Sequence, residues 1–388
     1  MSGAAGHGGQ RRPCHTAGVS WVLTILGIVA LIVLHELGHF AVAKAVGMRV
    51  ERFSLFFPPT IARVRRGETE YAIGAIPVGG YVKITGMNPE ELRELDPEAT
   101  RRAYYAQAPW KRIAVILAGP IMNLLIAFVL FWAVLLSGNL NGAETLAVLH
   151  PSTQTVVATN SVHEVQKGEP AAAALRRGDR IVAIEGRPVR TAEAIRKAIS
   201  SHHCQGAQVE GCRAAIPVAL TVERAGRRLA LSVFPRYSKP LKRMELGFEF
   251  GLAATRFGAA SAARTALAEM WGVTAQTITS IGHAFTSEKV RHEFHSIVGI
   301  TQVAHETVAA GAGYALVFLG FISLVLAVIN LFPFLPLDGG HVLWSLAEKV
   351  RGRRISLASM YRFSSVGIIL LVFLVLNGLS NDISRLAG

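Results

Sequence analysis

The sequence predicts a multi-pass α-helical membrane protein with about four spanning helices, a membrane-associated β-hairpin region and one extracytoplasmic α+β domain. The first observation is composition, because 51% of the 388 residues are hydrophobic and only 17% are charged, which is more apolar than a soluble chain needs. The second is a set of long apolar stretches, three of which reach the roughly 18–20 residues that a bilayer requires. The third is a series of short runs rich in Phe, Ile, Val and Tyr that are separated by turn-forming residues, which predicts strands in the connecting segments.

Spans and soluble regions alternate along the chain. The expected order is N-terminal tail 1–17, first span 18–47 with an HExxH motif, cytoplasmic or membrane-associated β-hairpin region 48–112, second span 113–136, extracytoplasmic domain 137–240, amphipathic helical region at the membrane surface 241–312, third span 313–332, turn and cytoplasmic loop 333–362, fourth span 363–380 and C-terminal tail 381–388. The fourth span is somewhat short, but a bilayer can thin around it. The first could be mistaken for a signal peptide, but its apolar run is too long and contains ionisable residues.

Basic residues indicate which side of the membrane each connection faces. The segment 49–112 and the connection 349–362 are rich in Arg and Lys, which predicts that both are cytoplasmic. Both termini and the long segment after the second span are then extracytoplasmic. We attribute the net charge of +14 to loops that face anionic lipid. Nucleic acid is not an expected partner, because no nucleic-acid-binding motif accompanies the charge.

The region 48–112 contains short runs rich in bulky apolar residues, and turn-forming residues separate the runs. Short strands are expected at Val50–Phe57, Ile61–Arg65, Glu70–Ala75 and Gly80–Thr85. Pro58-Pro59, Arg66-Gly67-Glu68 and Pro77-Val78-Gly79 separate them. Non-helical backbone lies at membrane depth only where it packs on protein, so this hairpin region either packs beside a span or stays in the cytoplasm.

The region 137–240 has the pattern of a compact α+β domain. The expected elements are a turn, a buried strand and another turn within Leu175–Gly186, then a helix at Thr191–Ser200 and paired strands at Ile216–Arg224 and Arg228–Phe234. This pattern resembles a single PDZ domain, which binds an extended peptide by adding a strand to its sheet edge. Cys204 and Cys212 lie in it, and an oxidising compartment would permit a disulfide that their spacing neither requires nor excludes.

An HExxH motif, His35-Glu36-Leu37-Gly38-His39, lies inside the first span. On a helix, residues four apart share a face, so His35 and His39 can bind one metal while Glu36 lies beside the open coordination position. Zinc held by two histidines and one carboxylate keeps that position for water. Charged residues in a span each cost about 2.5 kcal/mol or more at the bilayer centre, which favours a functional role over a structural one.

The third ligand is expected to be Asp338, the exceptional acid next to the later spans, in the segment Asn330–His341 after the third span. The first span ends on the cytoplasmic side just after His39, so the two parts of the site are expected at similar depth. Prolines in this segment end the helix and the two glycines after Asp338 permit a turn. The alternatives are a helix-terminating turn that happens to contain an acid, or His341 as a rival ligand or a partner of a ligand.

These motifs together resemble the bacterial site-2 protease family of intramembrane zinc metalloproteases. The resemblance rests on HELGH in the first span, Ala118–Asn123 (AGPIMN) opening the second, the PDZ-like domain and NLFPFLPLDGGH after the third. It extends over nearly the whole chain and is greatest for actinobacterial members with a single PDZ domain. It implies one Zn²⁺ per chain with His35, His39 and Asp338 as ligands, and Glu36 as the catalytic residue. It further implies substrate contacts at Asn330 and along the hairpin at Gly79, Gly80 and Tyr81.

The family resemblance implies a zinc metalloendopeptidase in a bacterial plasma membrane that cleaves transmembrane segments near the cytoplasmic side. Expected partners are the lipid bilayer and single-pass transmembrane proteins, such as anti-sigma factors or remnant signal peptides, cut by regulated intramembrane proteolysis. Two other classes stay open. A non-catalytic membrane scaffold would use only the PDZ-like domain and a structural metal. A zinc transporter would need further acidic or His residues across several spans.

Overall fold

The computed structural model describes residues 14–87, 91, 95–149, 154–284, 297–353 and 355–387. The chain divides into two compact units. The first unit combines residues 1–137 with 257–388, and the second unit is the intervening segment 138–256. The first unit contains the candidate site.

The helices and strands are numbered along the chain. The α-helices of the described residues are α1 (Cys14–Ala45), α2 (Pro97–Arg101), α3 (Pro109–Ser137), α4 (Leu140–Leu149), α5 (Ala192–Ser200), α6 (Ala259–Ala284), α7 (Ile297–Ala310), α8 (Ala312–Asn330), α9 (Asp338–Arg351) and α10 (Leu357–Ala387). The strands are β1 (Val50–Arg66), β2 (Thr69–Ile84), β3 (Val156–Val165), β4 (Arg180–Ile184), β5 (Arg187–Pro188), β6 (Val218–Arg224), β7 (Arg227–Val233), β8 (Arg236–Ser238), β9 (Arg243–Glu245) and β10 (Phe248–Ala254).

Three helices of the described residues are long and apolar enough to cross a membrane, namely Trp21–Ala45 within α1, Pro109–Ser137 and Ala312–Asn330. They coincide with the first three predicted spans. The fourth predicted span lies within α10, where several side chains are outside the described residues. The count of four spans therefore stays a prediction.

Helix α3 packs against α1, α6, α8 and α9, so it is the central helix of the first unit. Its contact with α1 is a backbone-to-backbone approach at Gly38. A Cβ on Gly38 would come within 2.5 Å of the Ala118 carbonyl oxygen, so any larger residue there would push the two helices apart. The approach brings the HExxH segment of α1 against α3.

The hairpin region contains two long strands, so the prediction of four separate short strands is wrong. Residues 52–55 of β1 pair with 83–80 of β2 on one side and with 70–73 of β2 on the other. Residues 60–66 of β1 pair with 74–69. The prolines at positions 58 and 59 bend β1 without ending it, which lets the two strands fold over one another. Residues 80–84 pair only with β1 among the described residues, and therefore form an edge of the sheet.

Charged side chains anchor the turn between β1 and β2 to the neighbouring helices. Arg102, just after α2, donates two hydrogen bonds to Glu68 at 2.7 and 2.8 Å, and Lys44 near the end of α1 donates a third. These bonds, from Arg102 first and Lys44 second, lower the pKa of Glu68 to about 2. Glu68 is therefore ionised at neutral pH, and the ion pairs connect the sheet to α1.

The second unit is built on a six-stranded sheet. Five of its strands lie in the order β10-β3-β4-β6-β7, and the short strand β5 pairs with β4. Its core includes Ile181, Ile184, Ile195, Leu220 and Val222. Helix α5 and strands β4, β6 and β7 lie close to the positions predicted for them, because their apolar residues follow the periods of a helix and of strands. The disulfide that the sequence left open is present, joining Cys204 and Cys212 with their Cα atoms 6.1 Å apart.

The prediction of an amphipathic helical region at 241–312 is wrong for the first residues of that range. Residues 243–245 and 248–254 are strands β9 and β10, and β10 pairs with β3 of the second unit. Phe248 and Phe250 are two apart and pack against the core of that unit, as strand residues on one face do. Helical structure begins only at Ala259. Residues 285–296 lie outside the described residues.

Candidate metal centre and active site

Three side chains with metal-binding atoms meet in the first unit. His35 and His39 are one turn apart on α1 and both are buried, and Asp338 is the first residue of α9. The two Nε2 atoms are 3.2 Å apart, and each lies 3.3 Å from Oδ2 of Asp338. Among the described residues, this is the group of His, Cys, Asp and Glu side chains with the spacing to hold a metal ion.

The spacing of these atoms fits zinc. Two ligand atoms about 2.0–2.1 Å from a tetrahedral ion lie about 3.3 Å from one another. All three separations agree with that value. Oδ2 of Asp338 is also buried without a hydrogen bond among the described residues, which is costly for a carboxylate unless a cation is near. The donor set of two imidazoles and one carboxylate is the usual one for a catalytic zinc.

A tight turn between α8 and α9 brings Asp338 to the histidines. The turn contains Pro333 and Pro336, and α9 begins directly at Asp338. A Cβ on Gly339 would come within 2.2 Å of the Leu331 carbonyl oxygen, so the turn can fold back onto the end of α8 only with glycine there. The carboxylate also lies in the first turn of α9, where the helix dipole favours a negative charge.

Helix α3 orients His39 and closes the site on one side. Nδ1 of His39 donates to the Val115 carbonyl oxygen at 2.8 Å, which leaves the lone pair of Nε2 facing the other two ligands. Gly119 lies one turn further along α3. A Cβ there would be 2.2 Å from Nε2 of His39 and 2.8 Å from Cε1 of His35. Only glycine fits between the helix backbone and the two imidazoles.

Glu36 lies beside an edge of the β1–β2 sheet. It is half-buried on α1, and a Cβ on Gly80 would lie 3.0 Å from its Cγ and 3.0 Å from the Ser54 carbonyl oxygen. The edge formed by residues 80–84 therefore passes directly alongside Glu36, with no side chain between them. An extended peptide added to this edge would run past the carboxylate.

The other residues predicted to contact substrate lie at two places. Gly79 has a φ of 127°, which favours glycine, and precedes Gly80 on the same edge. The Tyr81 ring stacks on Phe57 with centroids 5.7 Å apart. Asn330 is the last residue of α8 and is half-buried, and no hydrogen bond of its side chain occurs among the described residues.

His341 is not one of the three residues that surround the candidate metal position. It follows Asp338 by three positions on α9, and its ring lies edge-on to Tyr104 with centroids 6.4 Å apart. Its Nδ1 atom is buried without a hydrogen bond among the described residues. The alternative that His341 is a rival ligand is therefore disfavoured by geometry.

Comparison with known proteins decides the family. A sequence model of peptidase family M50 matches residues 23–374. The chain belongs to peptidase family M50. This is the family of the site-2 proteases, so the predicted family is confirmed.

Two relatives illustrate how far the similarity extends. The zinc metalloprotease Rip1 of Mycobacterium tuberculosis is 34% identical over 359 residues, which cover 85% of this chain and 86% of Rip1. The regulator of sigma-E protease RseP of Salmonella typhimurium is 28% identical over an alignment of 454 positions, gaps included, which spans 93% of this chain and 98% of RseP. The predicted enzyme class, a site-2 type zinc metallopeptidase, is confirmed. The zinc cofactor is confirmed with it, and the apolar helices agree with a plasma-membrane location.

The close contact at Gly119 gives a test of the metal site that leaves its ligands intact. Gly119→Ala is expected to abolish zinc binding, because the new Cβ would overlap the imidazoles of His35 and His39. Zinc content of the purified protein is measured by elemental analysis. Gly282→Ala in α6 is the matched control, since a Cβ there would meet nothing within 4 Å, and it should retain zinc. A Gly119→Ala protein with a full complement of zinc would contradict this geometry.

Proposed function

We propose that His35, His39 and Asp338 hold one zinc ion and that Glu36 is the catalytic acid/base of this intramembrane endopeptidase. The observation that carries the proposal is the meeting of three ligand atoms within 3.3 Å of one another, with Glu36 on the adjacent turn. Ionisable residues in an apolar helix are costly, and a bound cation compensates for that cost. A structural zinc in a non-catalytic scaffold would not require a carboxylate beside an open sheet edge.

The chemistry needs few groups. When bound, zinc would polarise the scissile carbonyl and make an attacking water more acidic. The Glu36 carboxylate accepts the proton of that water and then donates it to the amide nitrogen of the leaving chain. His39 is held by the Val115 carbonyl through Nδ1, so it keeps its orientation while the proton moves.

The substrate must be unwound before it can be cut. A transmembrane helix hides its carbonyls in hydrogen bonds to the residue four positions later, so water cannot attack them directly. The sheet edge at 80–84 offers backbone donors and acceptors to an unwound segment. Gly79 and Gly80 leave space for that segment against Glu36, Tyr81 borders it, and Asn330 at the end of α8 hydrogen-bonds its backbone.

We further propose that the second unit is a PDZ-like domain. Strand β10 is the last strand of its sheet and pairs on one side only among the described strands. Helix α5 packs on the same sheet. A groove of about 270 Å³ is bordered by both elements, with Arg196 and Ile199 on one side and Phe248 and Phe250 on the other. The groove suits an extended peptide, and the domain as a whole would exclude substrates with bulky ectodomains.

The basic loops support a cytoplasmic orientation of the hairpin region and of the connection after α9. The second unit and both termini are then extracytoplasmic, with α10 as the fourth span. The disulfide between Cys204 and Cys212 agrees with an oxidising compartment for the second unit. The domain boundaries given above follow the same topology, except that strands β9 and β10 extend the second unit to about residue 256.

The proposed substrates are single-pass transmembrane proteins of the bacterial plasma membrane that have already been trimmed outside. Anti-sigma factors and remnant signal peptides belong to this class. One of the relatives is named a regulator of a sigma factor, which favours the first of these. A zinc transporter would need metal sites along several spans. Because the described residues contain one such group, we favour the protease over the transporter.

Glu36→Gln tests the catalytic role. It removes the group that accepts the proton but leaves both histidines, so cleavage should fall by about 10²–10⁴-fold with zinc content unchanged. The measurement is cleavage of a fluorescent single-pass transmembrane substrate by purified protein in detergent, with zinc determined on the same samples. Cleavage at the wild-type rate by Glu36→Gln would show that Glu36 is not the acid/base. Zinc bound by His35→Ala as tightly as by the wild type would show that the ligand assignment is wrong.

Gly80→Val tests the sheet edge as the substrate-binding element. The side chain would enter the space between the edge and Glu36, so an unwound segment could not reach the site and cleavage should fall by about 10²-fold. Zinc content should not change, which separates this effect from loss of the metal. The Gly282→Ala protein serves as the control with normal cleavage. Equal cleavage by Gly80→Val and wild type would exclude this edge as the substrate path.

A further inference from the structure

Asn123 on α3 contacts the other histidine of the metal centre. It is completely buried, and its Nδ2 atom lies 3.2 Å from Nδ1 of His35. Its Oδ1 atom is buried without a hydrogen bond among the described residues. The segment that contains it, Ala118–Asn123, contributed to the family resemblance, but neither the sequence nor the proposed mechanism gives Asn123 a role.

Nδ2 of Asn123 and Nδ1 of His35 are both hydrogen-bond donors if His35 binds a metal through Nε2. His35 can bind a metal through Nε2 only if its proton is on Nδ1, and an Nδ1–H group needs an acceptor. The amide nitrogen of Asn123 is a donor and cannot accept that proton. A half-turn of the amide group exchanges its nitrogen and oxygen, which have nearly the same size and shape. The oxygen that lacked a partner then faces Nδ1–H.

We propose that Asn123 is a positioning residue whose Oδ1 accepts a hydrogen bond from Nδ1–H of His35 and thereby directs Nε2 towards the zinc. This inference rests on the proposed role of His35 as a zinc ligand. Asn123 then gives His35 a hydrogen-bond acceptor for Nδ1–H, as the Val115 carbonyl already does for His39.

The spacing along α3 supports this arrangement. Val115, Gly119 and Asn123 are four residues apart and so lie on one face of the helix. His39 contacts the first two, and His35 contacts the last two. Gly119 provides the space for both rings, and the residue one turn away on each side provides an acceptor for one ring. Two turns of α3 thus orient two ligands on one turn of α1.

The backbone of Asn123 is itself held in place. The Ser323 hydroxyl of α8 donates to the Asn123 carbonyl oxygen at 2.9 Å, and both residues are completely buried. This bond fixes the position from which the amide group reaches His35. A fixed partner of this kind raises the basicity of the ligand and restricts its rotation, and its loss typically weakens metal binding by about 10–100-fold.

The test compares zinc affinities of purified full-length protein in detergent, after removal of metal with a chelator and titration against a chromophoric zinc competitor. Asn123→Leu has a similar size but no acceptor, so its zinc affinity should fall by about 10–100-fold. Asn123→Asp keeps an acceptor at the same place and should bind zinc at least as tightly as the wild type. Asn377→Leu in α10 is the control, because that side chain donates to the Phe373 carbonyl of its own helix, and its zinc affinity should not change.

A second measurement separates positioning from general stability. The melting temperature of the metal-free Asn123→Leu protein should be no lower than that of the metal-free wild type, whereas zinc should raise it by less. If Asn123→Leu does not fold, Asn123→Ala replaces it with the same expectations. Wild-type zinc affinity in the Leu or Ala variant overturns the inference, and so does an equal loss of affinity in Asn123→Asp. Absence of zinc binding by the wild type would instead overturn the proposed function.

Discussion

The structure depends on the meeting of three electron-pair donors, from His35, His39 and Asp338, within an otherwise apolar group of helices. Such donors repel one another, and burying them without a cation is unfavourable. A bound metal ion would offset this cost and would link α1 to α9 through the three side chains. Many close approaches around the cluster follow from that requirement. Gly38 lets α1 touch α3, and Gly119 leaves space for the imidazoles.

Helix α3 contacts the two histidines and the helix that supplies Asp338. It supplies the acceptor for His39, it contacts His35 through Asn123, and it also fixes the helix that begins with Asp338. This last connection is the buried ion pair between Arg112 and Glu348 of α9, at 2.7 Å. The guanidinium of Arg112 lies over the rings of Tyr104 and Tyr105, at 5.9 and 5.3 Å, so the charge is surrounded by aromatic faces rather than by water. Breaking such a pair leaves an uncompensated buried charge, which is strongly destabilising.

The sequence alone was enough to predict site residues whose chemical type is rare in their surroundings. Ionisable residues in an apolar span stand out, and so does an acid after prolines and before glycines, which is why His35, Glu36, His39 and Asp338 could be selected. Contacts made by ordinary residues far along the chain could not be anticipated. Val115 is 76 positions from His39 and Asn123 is 88 from His35, and neither residue type suggests a partner by itself. Gly119 shows the same difficulty, since its role exists only once α1 and α3 are packed.

Errors in predicting the fold also have physical causes. Proline was taken to end a strand, whereas at an unpaired bend in β1 it leaves the strand continuous. Strand β9 has only three residues, and the spacing of Phe248 and Phe250 in β10 was missed beside a long helical pattern that begins at Ala259. Strands are specified by their neighbours in the sheet as well as by their own residues.

X-ray absorption at the zinc edge of the purified, zinc-loaded protein reports the ligands of the metal themselves. For ligation by His35, His39 and Asp338 we expect only nitrogen and oxygen ligands at about 2.0–2.1 Å, with the outer-shell scattering of two imidazoles. One imidazole should disappear from the spectrum of any zinc retained by His39→Ala, and Asp338→Ala should bind zinc more weakly. Sulfur ligands at about 2.3 Å, or a wild-type spectrum that does not change in His39→Ala, would contradict the account.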